Sequence, residues 1–402
     1  MYPIKIKLPL VLNPQNLFWL RRLPTLSLLV KMAIRHYQPS FASTSSSISS
    51  TDLFKPPKLS PSSSFRCNIS VASKLEPEPH PVCTSVTSFA PATVANLGPG
   101  FDFLGCAIDG IGDYVTLTVD PQVQPGRLSI AEITGVDTSS KRLSKNPLWN
   151  CAGIAAISVM KMLKIRSVGL SLSINTCLPL RGGLGSSAAA AAVAVNEIFG
   201  GRLQESDLVL AGLKAEAKLS GYHADNIAPA IMGGFVLIRS YDPLELISLK
   251  FPPEKNLYFV LVNPQFQAQT KKMRAVLPTE ITMSDHIWNC SQAAALVAGV
   301  LQGDLVGFGK ALSSDKIVEP RRAPLLPGME DVKKAAMEAG AYGCTISGSG
   351  PTVVAVTNDE ERGREIGEKM VEAFVEKGKL KAFAMVKKLD SVGARVISSI
   401  ST

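Results

Sequence analysis

Three glycines followed by an alanine-rich stretch constrain this chain more than any other feature. Residues 178–189 read LPLRGGLGSSAA, and the small apolar side chains continue to residue 195. The pattern predicts the end of a strand, a glycine loop and a helix over residues 186–199 that ends at Gly200. Because glycine has no Cβ, the backbone N–H groups of such a loop can close on an anion, and the N-terminus of the helix adds the positive end of its dipole.

This glycine loop predicts a phosphate-binding site. No G-x-x-x-x-G-K-[ST] motif occurs in the sequence, so backbone dipoles and hydroxyl groups would hold a triphosphate in place of a loop lysine. Ser187 and a nearby carboxylate would supply oxygen ligands for Mg²⁺. A tight strand-to-helix turn that binds nothing explains the same residues. A dinucleotide fingerprint fits less well, because Glu205 and Asp207 open a helix and do not end a second strand.

Two further segments combine glycine with polar side chains. Residues 91–105, PATVANLGPGFDFLG, place Asn96 and Asp102 in a loop that glycine and proline make rigid, and such loops aim polar groups at ligands. Asn and Asp beside glycine also form ordinary turns. Residues 346–352, ISGSGPT, predict a glycine turn between two strands, as in many hairpins.

The hydrophobic pattern after residue 86 predicts an α+β protein with two domains. A Pro-rich linker near residues 242–255 separates a first domain, residues 84–250, from a second, residues 256–402. In the second domain the predicted order is strand, helices, two strands, helix and strand, which is the split βαβ order of a ferredoxin-like fold. The predicted strands are 114–119, 168–174, 257–264, 342–346, 352–356 and 381–387, and the predicted helices are 147–163, 186–199, 206–221, 285–301, 330–339 and 360–375.

The charge and the reactive side chains exclude several classes of protein. Ten basic residues against Asp52 alone in residues 1–75 account for the whole net charge of +9, so the remaining 327 residues carry 32 charges of each sign. A segment with no net charge gives little support for nucleic-acid binding by counterion release. The seven cysteines form no C-x-x-C pair and the chain has four histidines, which argues against a disulfide framework or a multi-histidine metal centre.

The N-terminal 75 residues predict a leader. Residues 40–64 contain eleven Ser and two Thr, a composition that cannot bury enough apolar surface to fold and that is typical of a plastid transit peptide. We expect this peptide to span about residues 32–75, with cleavage between Arg66 and Glu76. Met32 is an alternative initiator, which would leave residues 1–31 untranslated. No uninterrupted apolar run there reaches the roughly 18 residues that span a bilayer, so no membrane association is expected.

Together, in this order and spacing, the three glycine-containing motifs resemble the GHMP small-molecule kinases, and residues 91–105 are similar in particular to the plastid homoserine kinases of plants. The resemblance covers residues 86–400. It implies the two-domain GHMP kinase fold, with an N-terminal α/β nucleotide-binding domain and a ferredoxin-like C-terminal domain. It also implies ATP-dependent phosphorylation of L-homoserine in threonine and methionine biosynthesis, Mg²⁺ as cofactor, a location in the plastid stroma and a homodimer.

For the nucleotide, the resemblance implies Mg²⁺ coordination by Ser187 and Glu216. A carboxylate in the otherwise apolar helix around residue 216 is costly unless it has a cation, although an exposed Glu216 would instead pair with Lys214 or Lys218. Asn150 is favoured over Asn146 for adenine. The residues of the implied nucleotide loop are Pro179, Leu180, Arg181, Gly182, Gly183, Leu184, Gly185, Ser186, Ser187 and Ala188.

For the substrate, the resemblance implies that Arg274 and Arg322 bind the carboxylate of homoserine, with the adjacent Arg321 as a competitor for Arg322. Asn96 and Asp102 would orient its amino and hydroxyl ends. Further substrate-binding residues are implied in the segments GYHADN and SGSG, namely His223, Asp225, Ser347 and Gly348.

For catalysis, the implied residues are Asp102, Asn226 and Glu216. Asn226 occupies the position next to the aspartate that other superfamily members use as a base, so the attacking hydroxyl would lose its proton late, or Asp102 would accept it. Two alternatives remain open. One is another GHMP kinase of the mevalonate or isoprenoid type, and the other is a silent sensor that binds nucleotide and metabolite without transfer.

Overall fold

Two β-sheets form the framework of the protein, whose computed structural model describes residues 78–135, 143–177, 184–219, 221 and 223–402. The predicted leader lies outside these ranges. In the first sheet the long strand β2 (Leu104–Val119) pairs with β1 (Cys83–Ala95) over nearly its whole length. Further strands of this sheet are β3 (Leu128–Gly135), β4 (Leu170–Thr176), β5 (Phe235–Tyr241), β6 (Leu244–Leu249) and the C-terminal β11 (Arg395–Ser401).

The strand order of the first sheet places both ends of the described chain side by side. It runs β11-β1-β2-β4-β3, with β5 pairing with the beginning of β2 and with β6. β3 and β4 are parallel, and the other pairs are antiparallel. Because β2 is long enough to pair with β5 at one end and β4 at the other, it carries residues toward both predicted binding regions.

Four helices pack with the first sheet. They are α1 (Cys151–Met162), α2 (Leu184–Ile198), α3 (Glu205–Leu219) and α4 (Ala224–Met232). The alanines of α2 from Ala188 to Ala192 are fully buried, which explains the alanine run, because small side chains let neighbouring helices and the sheet approach closely.

The second sheet has the predicted ferredoxin-like topology. Its strand order is β10-β7-β9-β8 and all neighbours are antiparallel. Its strands are β7 (Tyr258–Pro264), β8 (Gly343–Ile346), β9 (Val353–Thr357) and β10 (Ala382–Lys388), and the helices of this half are α5 (Thr270–Ala275), α6 (Met283–Gln302), α7 (Leu305–Leu312), α8 (Glu319–Arg322), α9 (Met329–Glu338) and α10 (Glu360–Glu376).

The predicted division into two domains differs from the structure at two points. The expected linker, residues 242–255, contains β6. The expected second domain, residues 256–402, gives its last strand to the first sheet, where β11 pairs with β1. β6 pairs with β5 in a local hairpin, whereas the pairing of β11 with β1 joins residues far apart in sequence, which local hydrophobic patterns do not report.

Candidate active site

The first glycine-rich motif forms the end of β1, a tight loop and the start of β2. Asn96, Leu97 and Asp102 have positive φ angles of 71°, 22° and 63°, which residues other than glycine seldom adopt. Asn96 Oδ1 stabilises the loop by accepting the backbone N–H of Asp102 at 2.9 Å. A Cβ on Gly98 would lie 2.1 Å from the carbonyl oxygen of Leu312, so only glycine lets the loop pack against α7. The loop therefore holds Asp102 in one strained conformation.

Two arginines from different elements converge on this loop. Arg274, on α5, places Nη2 2.6 Å from Asp102 Oδ1 in an ion pair that is about one-third exposed on each side. The guanidinium groups of Arg274 and Arg322 lie over the ring of Phe101, at 5.4 Å and 4.9 Å from its centroid. The structure thus brings the two predicted carboxylate-binding arginines together beside Asp102.

Arg322, and not its neighbour Arg321, belongs to this cluster. Its side chain is buried, whereas Arg321 is exposed. Arg322 Nε donates to the carbonyl oxygen of Met273 at 3.1 Å, and Nη1 donates to that of Gly348 at 2.8 Å. Burial and the neighbouring charge of Arg274 lower the pKa of Arg322 to about 10, so its guanidinium stays charged at neutral pH.

The segment that resembles G-x-H-x-D-N leads into α4 on the other side of Asp102. Asp225 is buried, and burial together with the negative charge of Asp102 raises its pKa to about 7. A Cβ on Gly105 would lie 1.9 Å from the carbonyl oxygen of Asp225, so this glycine is needed for β2 to approach α4. Asn226 Nδ2 lies 3.5 Å from Asp225 Oδ1, and its Oδ1 accepts the Thr93 hydroxyl at 3.4 Å.

Glu216 is a buried carboxylate on α3. It is 2% exposed, and its Oε2 lies 3.2 Å from Nδ1 of the buried His223. This burial excludes the alternative in which an exposed Glu216 pairs with Lys214 or Lys218. The contact also joins the predicted metal ligand to the predicted substrate segment.

Asp113 connects the two elements that flank the glycine loop, and sequence analysis did not predict it. Its Oδ1 accepts the backbone N–H of Cys177 at 3.3 Å, just after β4, and its Oδ2 accepts the Ser186 hydroxyl at 2.6 Å in the first turn of α2. Burial raises its pKa to about 6, although a backbone hydrogen bond from Ser187 opposes the shift. An acidic residue beside buried apolar positions of β2 was the available signal, since unpaired buried aspartates are rare.

Part of the predicted nucleotide loop falls outside the described residues. Ser186 and Ala188 are buried in the first turns of α2, where Ser187 is half-buried. Leu184 and Gly185 form the start of that helix. The predicted residues outside the described ranges are Pro179, Leu180, Arg181, Gly182 and Gly183.

Asn150 has a structural role in addition to the adenine contact predicted for it. Its Oδ1 accepts the backbone N–H groups of Ala152 and Gly153, which caps α1, and its Nδ2 donates to the carbonyl oxygen of Ser144. The oxygen and the amide nitrogen are therefore both used within the fold. The adenine contact stays a prediction.

The third motif joins the first at the arginine cluster. The backbone N–H of Gly348 donates to the carbonyl oxygen of Ala95 at 2.9 Å, one residue before Asn96. The turn is closed by Ser347 N–H, which donates to the carbonyl oxygen of Thr352. Since Arg322 donates to Gly348, the turn links the buried arginine to the loop that carries Asp102.

Comparison with known proteins shows the family to which the chain is similar. Residues 150–234 match the family model for the GHMP kinases N terminal domain, and residues 295–376 match that for GHMP kinases C terminal. Homoserine kinase of Arabidopsis thaliana is 69% identical over 349 residues, which cover 86% of this chain and 94% of that protein. Homoserine kinase of Chlorobaculum tepidum is 40% identical over 329 residues, covering 79% and 99%.

Solved structures show the same relationship. The crystal structure of homoserine kinase from Cytophaga hutchinsonii superposes with a TM-score of 0.71 at 38% identity and covers 78% of this chain and 98% of its own. L. major mevalonate kinase in complex with R-mevalonate has a TM-score of 0.58 at 18% identity, which shows the shared fold alone. With 69% identity over 94% of the Arabidopsis protein, this chain belongs to the homoserine kinase family of the GHMP kinases.

Proposed function

We propose that this protein transfers the γ-phosphoryl group of ATP to the side-chain hydroxyl of L-homoserine and produces O-phospho-L-homoserine. The observation that carries the proposal is the cluster of Arg274, Arg322, Asp102 and Asp225 around one strained loop. Two guanidinium groups suit a carboxylate, and two carboxylates suit an ammonium group. The cluster therefore suits the zwitterion of a small amino acid better than an uncharged alcohol such as a sugar, and the relatives named homoserine kinase support this substrate.

The phosphate donor would bind where α2 begins. Ser186 and Ser187 lie in the first turn of a buried helix, and the dipole of that helix favours an anion at its N-terminus. The glycine-rich sequence just before this turn is the predicted partner of the phosphates, and ATP is the nucleotide expected for a kinase of this family.

Mg²⁺ is supported by the chemistry of the available donors. The hydroxyl of Ser187 and the carboxylate of Glu216 are hard oxygen ligands, and Mg²⁺ usually takes one or two protein ligands together with substrate phosphates and water. Within the described ranges no group of three or more His, Cys, Asp or Glu side chains is arranged to hold a metal, which fits an ion that arrives with its nucleotide. Bound there, Mg²⁺ would neutralise charge on the phosphates.

Catalysis would rest on alignment of the hydroxyl with the phosphoryl group. Phosphoryl transfer passes through a loose transition state, so positioning and charge neutralisation contribute most of the rate enhancement. Asn226 is held by Thr93 and Asp225, and we assign it to orienting the hydroxyl. The carboxylate of Asp102 is already bound by Arg274, so we assign it mainly to positioning. An Asp102→Asn variant with an unchanged kcat and a raised KM for homoserine would exclude a role as base.

A coupled assay of ADP release with homoserine, mevalonate, shikimate and galactose tests the substrate assignment. We expect homoserine alone to give turnover, with phosphohomoserine as the product by mass spectrometry. Turnover with mevalonate alone would assign the chain to the isoprenoid type, and binding of ATP and homoserine without ADP release would make it a sensor.

We also propose a plastid location, because residues 1–75 are basic, rich in Ser and nearly free of acid. The 69% identity to an Arabidopsis protein fits a plant source. N-terminal sequencing of the mature protein from chloroplasts is expected to give a start between Arg66 and Glu76. Retention of Ser43 would contradict this processing, and detection of a peptide from residues 1–31 in any precursor would show that Met32 is not the sole initiator.

A further inference from the structure

The hydroxyl of Tyr241 joins the two segments that face the proposed substrate. Tyr241 is the last residue of β5 and is 40% exposed. Its Oη donates to the carbonyl oxygen of Asp102 at 2.9 Å and accepts the backbone N–H of Ala224 at 3.3 Å. One oxygen atom therefore bridges the strained loop and the start of α4.

At the first segment, every polar group of Asp102 has a partner. Its N–H is bound by Asn96, its carboxylate by Arg274 and its carbonyl oxygen by Tyr241. A non-glycine residue with φ of 63° persists only when the surrounding structure fixes it. The Tyr241 hydroxyl is the contact that fixes the carbonyl end of Asp102.

At the second segment, Tyr241 takes the place of a helix cap. The first N–H groups of a helix have no partner within the helix, and His223, in the N-cap position of α4, makes no capping side-chain hydrogen bond. The N–H of Ala224 instead donates to Tyr241. Since Asp225 is the next residue after Ala224, this contact fixes the backbone position from which the Asp225 side chain extends.

The hydroxyl keeps the proton that this bridge requires. Burial and the negative charges of Asp225 and Asp102 raise the pKa of Tyr241 above its ordinary value. The group therefore stays a phenol and remains a donor to Asp102 throughout the physiological pH range.

We propose that Tyr241 is a positioning residue for the phosphoryl acceptor, because its hydroxyl sets the separation between Asp102 and Asp225, the two carboxylates assigned to the homoserine ammonium group. This inference rests on the proposed function of those carboxylates. Tyr241 acts through them, and among the described residues its hydroxyl is bound to Ala224 and Asp102 and not to the α2 N-terminus, where ATP is proposed to bind.

The Tyr241→Phe variant tests the proposal because it removes a single oxygen atom. We expect the KM for homoserine to rise about threefold to tenfold, as for the loss of one or two hydrogen bonds, while the KM for ATP stays within twofold of wild type. Tyr114→Phe is the matched control, since Tyr114 is 38% exposed on β2 and lies beside Phe89 instead of the site. Its kinetic constants are expected to match those of wild type.

Two results would overturn the positioning role. One is a Tyr241→Phe enzyme with an unchanged KM for homoserine. The other is an equal rise of both KM values with a lowered melting temperature, which is the signature of a general structural role. Failure of the proposed function is a separate outcome, because it would show as absence of homoserine-dependent ADP release in the wild-type protein.

Discussion

Arg321 and Arg322 are adjacent residues of the same type, but only Arg322 belongs to the proposed substrate site. Its guanidinium is fixed by two carbonyl oxygens and lies over Phe101, whereas Arg321 is exposed. Lysine keeps the charge but not the planar fork that binds a carboxylate through two parallel hydrogen bonds. Arg322→Lys is therefore expected to raise the KM for homoserine by about tenfold or more, measured by steady-state ADP release at saturating ATP.

Arg321→Lys is the control for this change. The exposed side chain is expected to tolerate it with less than a twofold effect on either KM. If Arg321→Lys raised the KM for homoserine and Arg322→Lys did not, the assignment of the two arginines would be reversed.

The raised pKa of Asp225 predicts that the activity depends on pH. Its pKa is raised to about 7 by burial and by Asp102, and it is also near the charges of His223 and Arg274. Below pH 7 the carboxylate gains a proton and loses its attraction for the substrate ammonium group, so kcat/KM for homoserine is expected to fall as pH decreases. Because kcat/KM reports the free enzyme, a fall of about tenfold from the plateau at pH 8 to pH 6 is expected at saturating ATP.

The Asp225→Asn variant identifies the titrating group. It is expected to have a low kcat/KM that changes little between pH 6 and pH 8. Return of wild-type enzyme from pH 6 to pH 8 with full activity is the control against inactivation. A wild-type profile that is flat over this range would show that Asp225 is ionised throughout or does not bind the ammonium group.

At the level of single residues, the sequence predicted which residues belong to the site better than it predicted the contacts that hold them. Arg274, Asp102 and Asp225 were expected at one site, and they lie together. Tyr241 was not predicted, because an aromatic residue that ends a strand has the same pattern whether its hydroxyl faces water or two backbone groups. The second polar role of Asn150, as a helix cap, was missed for the same reason.

Among the elements, α8 is too short to be stable by itself, and Asp315 holds it. The four residues Glu319–Arg322 form a single helical turn. Asp315 accepts the backbone N–H groups of Ile317, Val318 and Glu319 and the side-chain amide of Asn289. This one carboxylate therefore supplies the capping acceptors at the start of the turn that carries Arg322.

Removal of this carboxylate is expected to disturb the substrate site as well as stability. Asp315→Ala leaves several N–H groups without acceptors, so we expect a loss of about 2 kcal/mol in the free energy of unfolding and a rise in the KM for homoserine through displacement of Arg322. Urea denaturation and steady-state kinetics measure the two effects.

Asp359→Ala is the matched control, because Asp359 caps α10 by accepting the N–H of Arg362. It is expected to lose about 1 kcal/mol with no change in the KM for homoserine. If Asp315→Ala also left this KM unchanged, Asp315 would stabilise the fold without positioning Arg322.

The elements that could be predicted are those with long periodic patterns. α2, α10 and the strands of the second sheet lie within a few residues of the predicted ranges, because buried and exposed positions recur over several turns or pleats. The short α5 and α8, which carry Arg274 and Arg322, have no such pattern. Their arginines contact residues distant in sequence, Arg274 with Asp102 and Arg322 with Gly348, and those contacts are invisible in a local window of sequence.

In the described part of the molecule as a whole, one hydrophobic core lies between the two sheets and contains side chains from both. Phe235 on β5 lies 6.4 Å from Phe259 on β7 and 5.8 Å from Phe308 on α7, measured between ring centroids. All three rings are at most 1% exposed. The site lies where loops from the two sheets meet, so its geometry depends on this shared core. A division into two domains by sequence could not show this, because the contacts join residues up to 73 positions apart.

A shared core predicts that the two sheets unfold together. Phe235→Ala removes the ring that contacts both halves and is expected to lower the free energy of unfolding by about 4 kcal/mol. Phe383→Ala is the control, since Phe383 is 42% exposed on β10, and it is expected to cost less than about 1 kcal/mol. Hydrogen exchange of peptides from β2 and β9 at increasing urea concentrations measures each sheet separately. Both are expected to lose protection at one midpoint, which Phe235→Ala shifts equally for the two, whereas a shift confined to β2 peptides would show that the sheets are independent folding units.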